Sequence, residues 1–373
     1  MATDTVESVE AFTERAASWI AANAEAAPRD YGAICPPDLV DAGRAWQQQL
    51  HAAGFSGIHW PTQWGGRGLT AAHQGAWLTE CARAGVPPVF NMVGLVLAGS
   101  AILRFGTPEQ QQRHLRQTLA AEQLWCQLFS EPGAGSDLGS LSTRAIADGD
   151  RFILNGQKVW CSGGRYSDWG ILMARTDPDA PKHKGISFFL LDMRLPGIEV
   201  RPLKQMTGEA EFDEVFFTDV EVPADCLLGP LHDGWNVGMA VLTNERGHIG
   251  ASIIGLERRL SAIARLAEGR DLDAVSGQAL TELLARGTTY KYMAQRQGPV
   301  ASTAASLMKL GITELMFRAS ELRADVAGAD AMLEGPDSLG LLAAPGGRIA
   351  GGSSQVQRNI IGERLLGLPR EPR

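Results

Sequence analysis

Ala147-Asp-Gly-Asp-Arg-Phe-Ile-Leu-Asn-Gly-Gln-Lys-Val-Trp160 reads as a hairpin or a pair of adjacent strands, with Asn155-Gly156 as a turn. The same texture extends both ways. Residues 124–130 (LWCQLFS), 169–175 (WGILMAR), 186–193 (ISFFLLDM), 198–203 (IEVRPL) and 212–222 (FDEVFFTDVEV) are short apolar or alternating runs. They are rich in Val, Ile and Phe and are separated by Gly, Pro, Asp and Asn, as strands of one sheet are. The block runs from about Leu124 to Gly229 and ends on the proline and glycine punctuation of 221–230.

On both sides the texture is helical. Residues 11–26 space their apolar positions at three and four. At 106–115, Thr107 can cap a helix, with Pro108 first inside it and Gln110 third. Residues 235–267 predict one helix of about 35 residues, roughly 50 Å long. Two further helices are expected near 274–296 and 299–328, a Gly- and Pro-rich loop over 333–352, and a last helix over 354–366. The fold class is α+β: an N-terminal helical domain (1–122), a central β domain (123–229) and a C-terminal helical domain (230–373). The β block lacks the alternating β-α rhythm of a doubly wound sheet.

Composition bounds the function. The chain has 373 residues, 45% hydrophobic and 20% charged, ordinary values for a folded protein. Lys and Arg number 34 against 42 Asp and Glu, a formal net charge of −8. Nucleic acid and anionic membranes reward the opposite balance. Five cysteines with no C-x-x-C point to a reducing cytoplasm and away from a disulfide framework. The N-terminal residues mix acids throughout, unlike a signal peptide. The uncharged stretch 84–103 predicts a buried helix starting at Pro88. At about 16 residues it spans roughly 24 Å, short of a bilayer core of roughly 30 Å. No dinucleotide or P-loop glycine motif occurs, nor H-E-x-x-H, so no metal site is expected.

Four segments have the residue types for chemistry. In Gln127-Leu-Phe-Ser-Glu-Pro-Gly-Ala-Gly-Ser-Asp137, glycines allow close approach to a flat ring or a phosphate, and Ser130 and Ser136 offer hydroxyls. In 155–164, Trp160 and Ser162 alternate onto one strand face. Glu245 is a carboxylate in an apolar helical run, sharing a face with His248, where a general base is one reading and a solvated surface acid the other. Residues 350–369 form a Gly-rich loop leading into a capped helix.

Together EPGAGSD (131–137), NGQKVW (155–160) and GGSSQVQRNIIGERLLGLPR (351–370) resemble the acyl-CoA dehydrogenase family, over nearly the whole chain. The resemblance implies a central β-barrel-like domain and a C-terminal four-helix bundle. It also implies FAD at a subunit interface of a tetramer, an acyl-CoA substrate and an electron-transferring flavoprotein as acceptor. It carries FAD binding to Gln127, Phe129, Ser130, Gly135, Ser136, Trp160, Ser162, Ser353 and Gln355, and substrate binding to Ser136, Arg246 and Gly351. Many members place the catalytic base immediately before the Gly-Thr/Ser-Ser element; here that position is Gly351, which has no side chain. A smaller group places it on the first long C-terminal helix before an Arg, which matches Glu245-Arg246. The expected activity is α,β-dehydrogenation with Glu245 as base. The usual Arg-x-x-Phe-Gly element is missing between Arg265 and Gln297. Alternatives are a non-catalytic or partner-dependent subunit of a mixed tetramer, a flavin-dependent monooxygenase, and a carrier-protein-linked substrate.

Overall fold

The computed structural model describes residues 7–29, 34–245, 249–294 and 301–370. It divides into two compact units, Met1–Glu245 and Arg246–Arg373.

The first unit begins with helices α1 (Val9–Asn23), α2 (Val40–Ala52) and α3 (Ala71–Ala84). They close on an aromatic core of Phe12, Trp46, Phe55 and Trp77, with the Phe55 and Trp77 rings stacked at 4.6 Å. The expected helix from Pro88 starts later, as a π-helical turn (Val93–Ala98) running into α4 (Gly99–Phe105). The cause is local. The carbonyls of Pro87 and Pro88 accept the Trp46 and Trp77 indole N–H groups, both at 2.9 Å, so the Pro-Pro segment is pinned outside the helix. Asn91 then provides the start, its side-chain oxygen accepting from Gly94 N–H at 2.8 Å. Helix α5 (Pro108–Leu119) has the expected capping box of Thr107 and Gln110.

Seven strands follow: β1 (Trp125–Leu128), β2 (Arg144–Asp148), β3 (Arg151–Ser162), β4 (Trp169–Arg175), β5 (Ile186–Asp192), β6 (Ile198–Leu203) and β7 (Phe212–Pro223). Their order is β1-β4-β2-β3-β7-β6, with β5 also on β4. β4 and β5 are buried on both faces, which explains their unbroken apolar runs. Ile171, Met173, Phe188 and Leu190 face a core shared with α4, α5 and α6 (Gly234–Glu245); Leu172, Ala174, Phe189 and Leu191 face the core within the sheet. Asn155-Gly156 is no turn. The β2–β3 hairpin turns at Gly149, and β3 runs on past Gly156, opposite a bulge in β7 at Asp219. Asn155 is held in the sheet by a reciprocal pair of hydrogen bonds with Asp219 of β7, both 3.0 Å.

The second unit contains α7 (Ile249–Ala267), α8 (Ala274–Ala294), α9 (Ala301–Ala327), α10 (Pro336–Gly347) and α11 (Ser354–Ile360). Leu256, Leu260, Leu283, Leu315 and Leu322 form its core. The helix expected over 235–267 is present as α6 and α7, the junction at 246–248 lying outside the described residues. The expected loop at 333–352 contains α10. Pro336 sits at its first position, Ser338 receives the Gly335 N–H, and Arg323 of α9 pairs with Asp337, anchoring a helix that composition alone disguised.

Candidate active site

β1 ends at Leu128 and the chain passes through Phe129 and Ser130 into a tight turn, where Glu131 and Ala134 exchange backbone hydrogen bonds of 3.1 and 3.0 Å. The Phe129 ring points into the core, edge-on to Phe188, and its carbonyl accepts from the buried Lys158, so neither group is presented at the surface. Ser130 is half-buried, and Gly135 and Ser136 are exposed. A Cβ at Gly133 or Gly135 would meet nothing within 4 Å, so the loop is open on that side. Gln127 is the half-buried position of an otherwise buried β1.

β3 lies beside this loop: Val159 N–H donates to the Ser130 carbonyl at 2.9 Å. The register between β3 and β7 then slips between Lys158 and Cys161. Trp160 sits in this second bulge with φ of 60°, a costly conformation for a bulky residue. The bulge turns its indole outward, leaving it 55% exposed with one edge toward Phe212. Ser162, beyond the bulge, is half-buried. The simple alternation expected for Trp160 and Ser162 is thus interrupted, yet neither side chain joins the core.

Two charged residues in these segments were passed over in the sequence. Lys158 and Glu131 form a 2.8 Å ion pair, with side chains 0% and 5% exposed. Lys158 also donates to the Phe129 carbonyl at 3.0 Å. Glu131 further accepts from Ser142 N–H, Ser142 O–H and Thr143 N–H at 2.7, 2.8 and 2.9 Å. Burial pushes the Glu131 carboxyl up, but the Lys158 ammonium and these donors outweigh it and hold it at about 2. Burial lowers the Lys158 ammonium against the pull of Glu131. A charge pair flanking the apolar residues of β1 and β3 was the available signal.

α6 carries Glu245 as its last residue. The helix is docked closely on the sheet: a Cβ at Gly234 would lie 2.3 Å from the Ser187 carbonyl carbon, and one at Gly238 would lie 2.7 Å from Met173 Sδ. The Glu245 side chain, and Arg246 and His248 entirely, lie outside what is described.

In the second unit, Gly351 and Gly352 adopt φ of 64° and 95° ahead of α11. Lys309 donates to the Gly352 carbonyl at 2.6 Å and Gln357 to the Gly351 carbonyl at 3.2 Å. Glu314 accepts from Arg348 and Ser354 at 3.1 and 2.9 Å, fixing the loop's two ends. Ser353 caps α11, accepting from Val356 N–H at 3.3 Å, and Gln355 is exposed. Of the expected site residues, 127–136, Trp160 and Ser162 come together on the first unit, and Gly351, Ser353 and Gln355 on the second.

Three family models match in chain order: the acyl-CoA dehydrogenase N-terminal domain over 4–122, its middle domain over 126–220 and its C-terminal domain over 232–366. The chain belongs to the acyl-CoA dehydrogenase family. It is therefore an oxidoreductase of a flavoprotein family, with that family's three-part architecture. It is 39% identical to acyl-CoA dehydrogenase IpdE1 of Mycobacterium tuberculosis (strain ATCC 25618 / H37Rv), over 98% of this chain and 99% of that protein. Among solved structures it is similar to a variant of the Tcur3481-Tcur3483 steroid ACAD (TM-score 0.83, 26% identity, 98% of this chain and 100% of that chain). It is also similar to the ChsE4-ChsE5 complex from Mycobacterium tuberculosis (TM-score 0.78, 27% identity, 99% and 100%).

Membership in this family points to FAD, and the first unit's surface fits it. An outward indole, held at a costly backbone angle beside an open glycine-bearing loop, suits the face of a flat conjugated ring. No helix among the described residues is long and apolar enough to cross a membrane, and no three metal-ligating side chains cluster there.

Proposed function

We propose that the chain catalyses α,β-dehydrogenation of an acyl-CoA thioester with FAD, using Glu245 as the base. When bound, FAD supplies hydride acceptance at flavin N5. Gln127, the Phe129 backbone N–H, Ser130, Gly135, Ser136, Trp160 and Ser162 would hold it from the first unit, and Ser353 and Gln355 from the second. Glu245 removes the proton α to the thioester carbonyl, and Arg246 shapes the site. Gly351 donates its backbone N–H to that carbonyl, which stabilises the charge that develops there. Ser136 also binds the CoA portion. The observation that carries this assignment is that the sequence has a glycine at 351, where many members carry the base, and a carboxylate followed by Arg at the end of α6. Similarity to acyl-CoA dehydrogenases supports a CoA thioester, and similarity to a steroid ACAD supports a bulky one. An electron-transferring flavoprotein is the proposed acceptor, and five free, buried thiols support a reducing compartment.

Glu245→Gln is expected to purify yellow with FAD and to lose flavin reduction by acyl-CoA at least about a hundredfold, the lower range for removing a general base. Rapid mixing under anaerobic conditions measures it. Near-normal bleaching would remove Glu245 from the mechanism.

A second reading is a mixed tetramer in which another chain completes the FAD site. The missing Arg-x-x-Phe-Gly element and the similarity to the ChsE4-ChsE5 complex favour it.

A further inference from the structure

We infer that the Glu131–Lys158 ion pair is a positioning clamp for the ring-facing surface, setting Ser130 and Trp160 in register with each other. This rests on the reading that FAD occupies that surface. Lys158 straddles Ser130. Its ammonium bonds the carbonyl of the residue before it and the carboxylate of the residue after it, at 3.0 and 2.8 Å. Between them Ser130 accepts from Val159 N–H at 2.9 Å. Glu131 extends the clamp to Ser142 and Thr143, so one pair joins three backbone segments. Lys158 is also the last residue in register before the bulge that turns Trp160 outward.

Stability does not explain the pair. Taking two ions out of water costs several kcal/mol each, and apolar replacements of a buried pair are often neutral or stabilising. Its distinctive contribution is geometric: short, charge-assisted bonds hold the two segments at a fixed separation. Hydride transfer is sensitive to such placement, since a 1 Å error can cost on the order of a hundredfold in rate. Glu131 and Lys158 are therefore positioning residues, acting through Ser130 and Trp160.

The test separates placement from folding. Removing one partner leaves a buried uncompensated charge and destabilises the fold. The double variant Glu131→Gln/Lys158→Met removes both charges and keeps an oxygen for the two Ser142 donors, at the cost of the acceptor of the Thr143 N–H. It should fold and bind FAD, melting somewhat below the parent because the Thr143 N–H and the Phe129 carbonyl lose their partners. Its flavin reduction should slow at least about tenfold with KM unchanged, and the visible flavin bands should shift. Parental bleaching rates with an unshifted spectrum would overturn the clamp. If the double variant does not fold, Glu131→Asp keeps the charge and shortens the reach by one methylene. Slowed reduction in Glu131→Asp supports the clamp, and a parental rate overturns it. Trp160→Leu serves as the control. If it leaves flavin fluorescence and absorption untouched, the ring placement itself fails and the clamp with it. If Trp160→Leu perturbs the flavin while the clamp variants do not, only the clamp fails.

Discussion

Two buried side chains contribute to the acid limb of stability, in separate pH windows. His114 lies edge-on to Trp125 and Trp169 and pairs through Nδ1 with Gln123 at 2.9 Å. Burial, only partly opposed by Gln123, lowers its pKa from 6.5 to about 4. The unfolded chain then takes up this proton before the folded one, so stability falls as pH drops from 6.5 to 4. Glu131 is depressed from 4.5 to about 2, so its contribution is present above 4.5 and is lost as pH falls toward 2. The His114 window is worth up to about 3 kcal/mol at 1.36 kcal/mol per unit, whereas the Glu131 contribution is offset by the burial of its partner Lys158. Thermal melts across pH should show both windows, and His114→Gln should shrink the upper one, which His51 shares, without moving the lower. An unchanged upper limb in that variant would assign it to other groups. The sequence showed His114 as one scattered histidine, because its burial depends on β4 arriving from more than 50 residues away.

At the level of elements, α6 links sheet packing to the proposed base. Its N-terminal glycine rests on backbone, which cannot yield as a flexible side chain can. Gly234→Ala should therefore displace the helix that carries Glu245, lowering the melting temperature and slowing flavin reduction together. An active, equally stable Gly234→Ala would show that α6 tolerates the shift. Strands and caps were legible because their signals are local: the Thr107 box and the strand run 169–175 stand as read, and the run 186–193 is β5, ending one residue earlier at Asp192. The misreadings have non-local causes. Asn155-Gly156 has turn composition, but Asp219 captures the asparagine amide in the sheet. Pro88 suits a helix start, but an indole claims its carbonyl. α10 is Gly- and Pro-rich, yet Asp337 ties it to α9.

For the whole molecule, the motifs identified the family before any geometry was known. The missing Arg-x-x-Phe-Gly element makes the self-sufficiency of a single chain the property to measure. The visible spectrum of the protein purified alone reports it. Flavin bands near one per chain are expected if the chain is self-sufficient. A colourless protein that stays colourless with added FAD would instead require the mixed tetramer, and Glu245 would then act only in the assembled complex. The chain's charge-bearing chemistry was harder to read than its glycine motifs, since Glu131 and Lys158 are 27 positions apart and only folding brings them together.

Trp160 also makes the protein its own optical probe. It is the one exposed tryptophan of nine, the other eight being buried or half-buried. Iodide in solution should therefore quench one spectral component, the emission from the bulge in β3. Whatever covers that face, a flat cofactor or a second chain, should shield the same component from iodide. Occupancy of the surface can then be titrated by emission, without a substrate, a label or turnover.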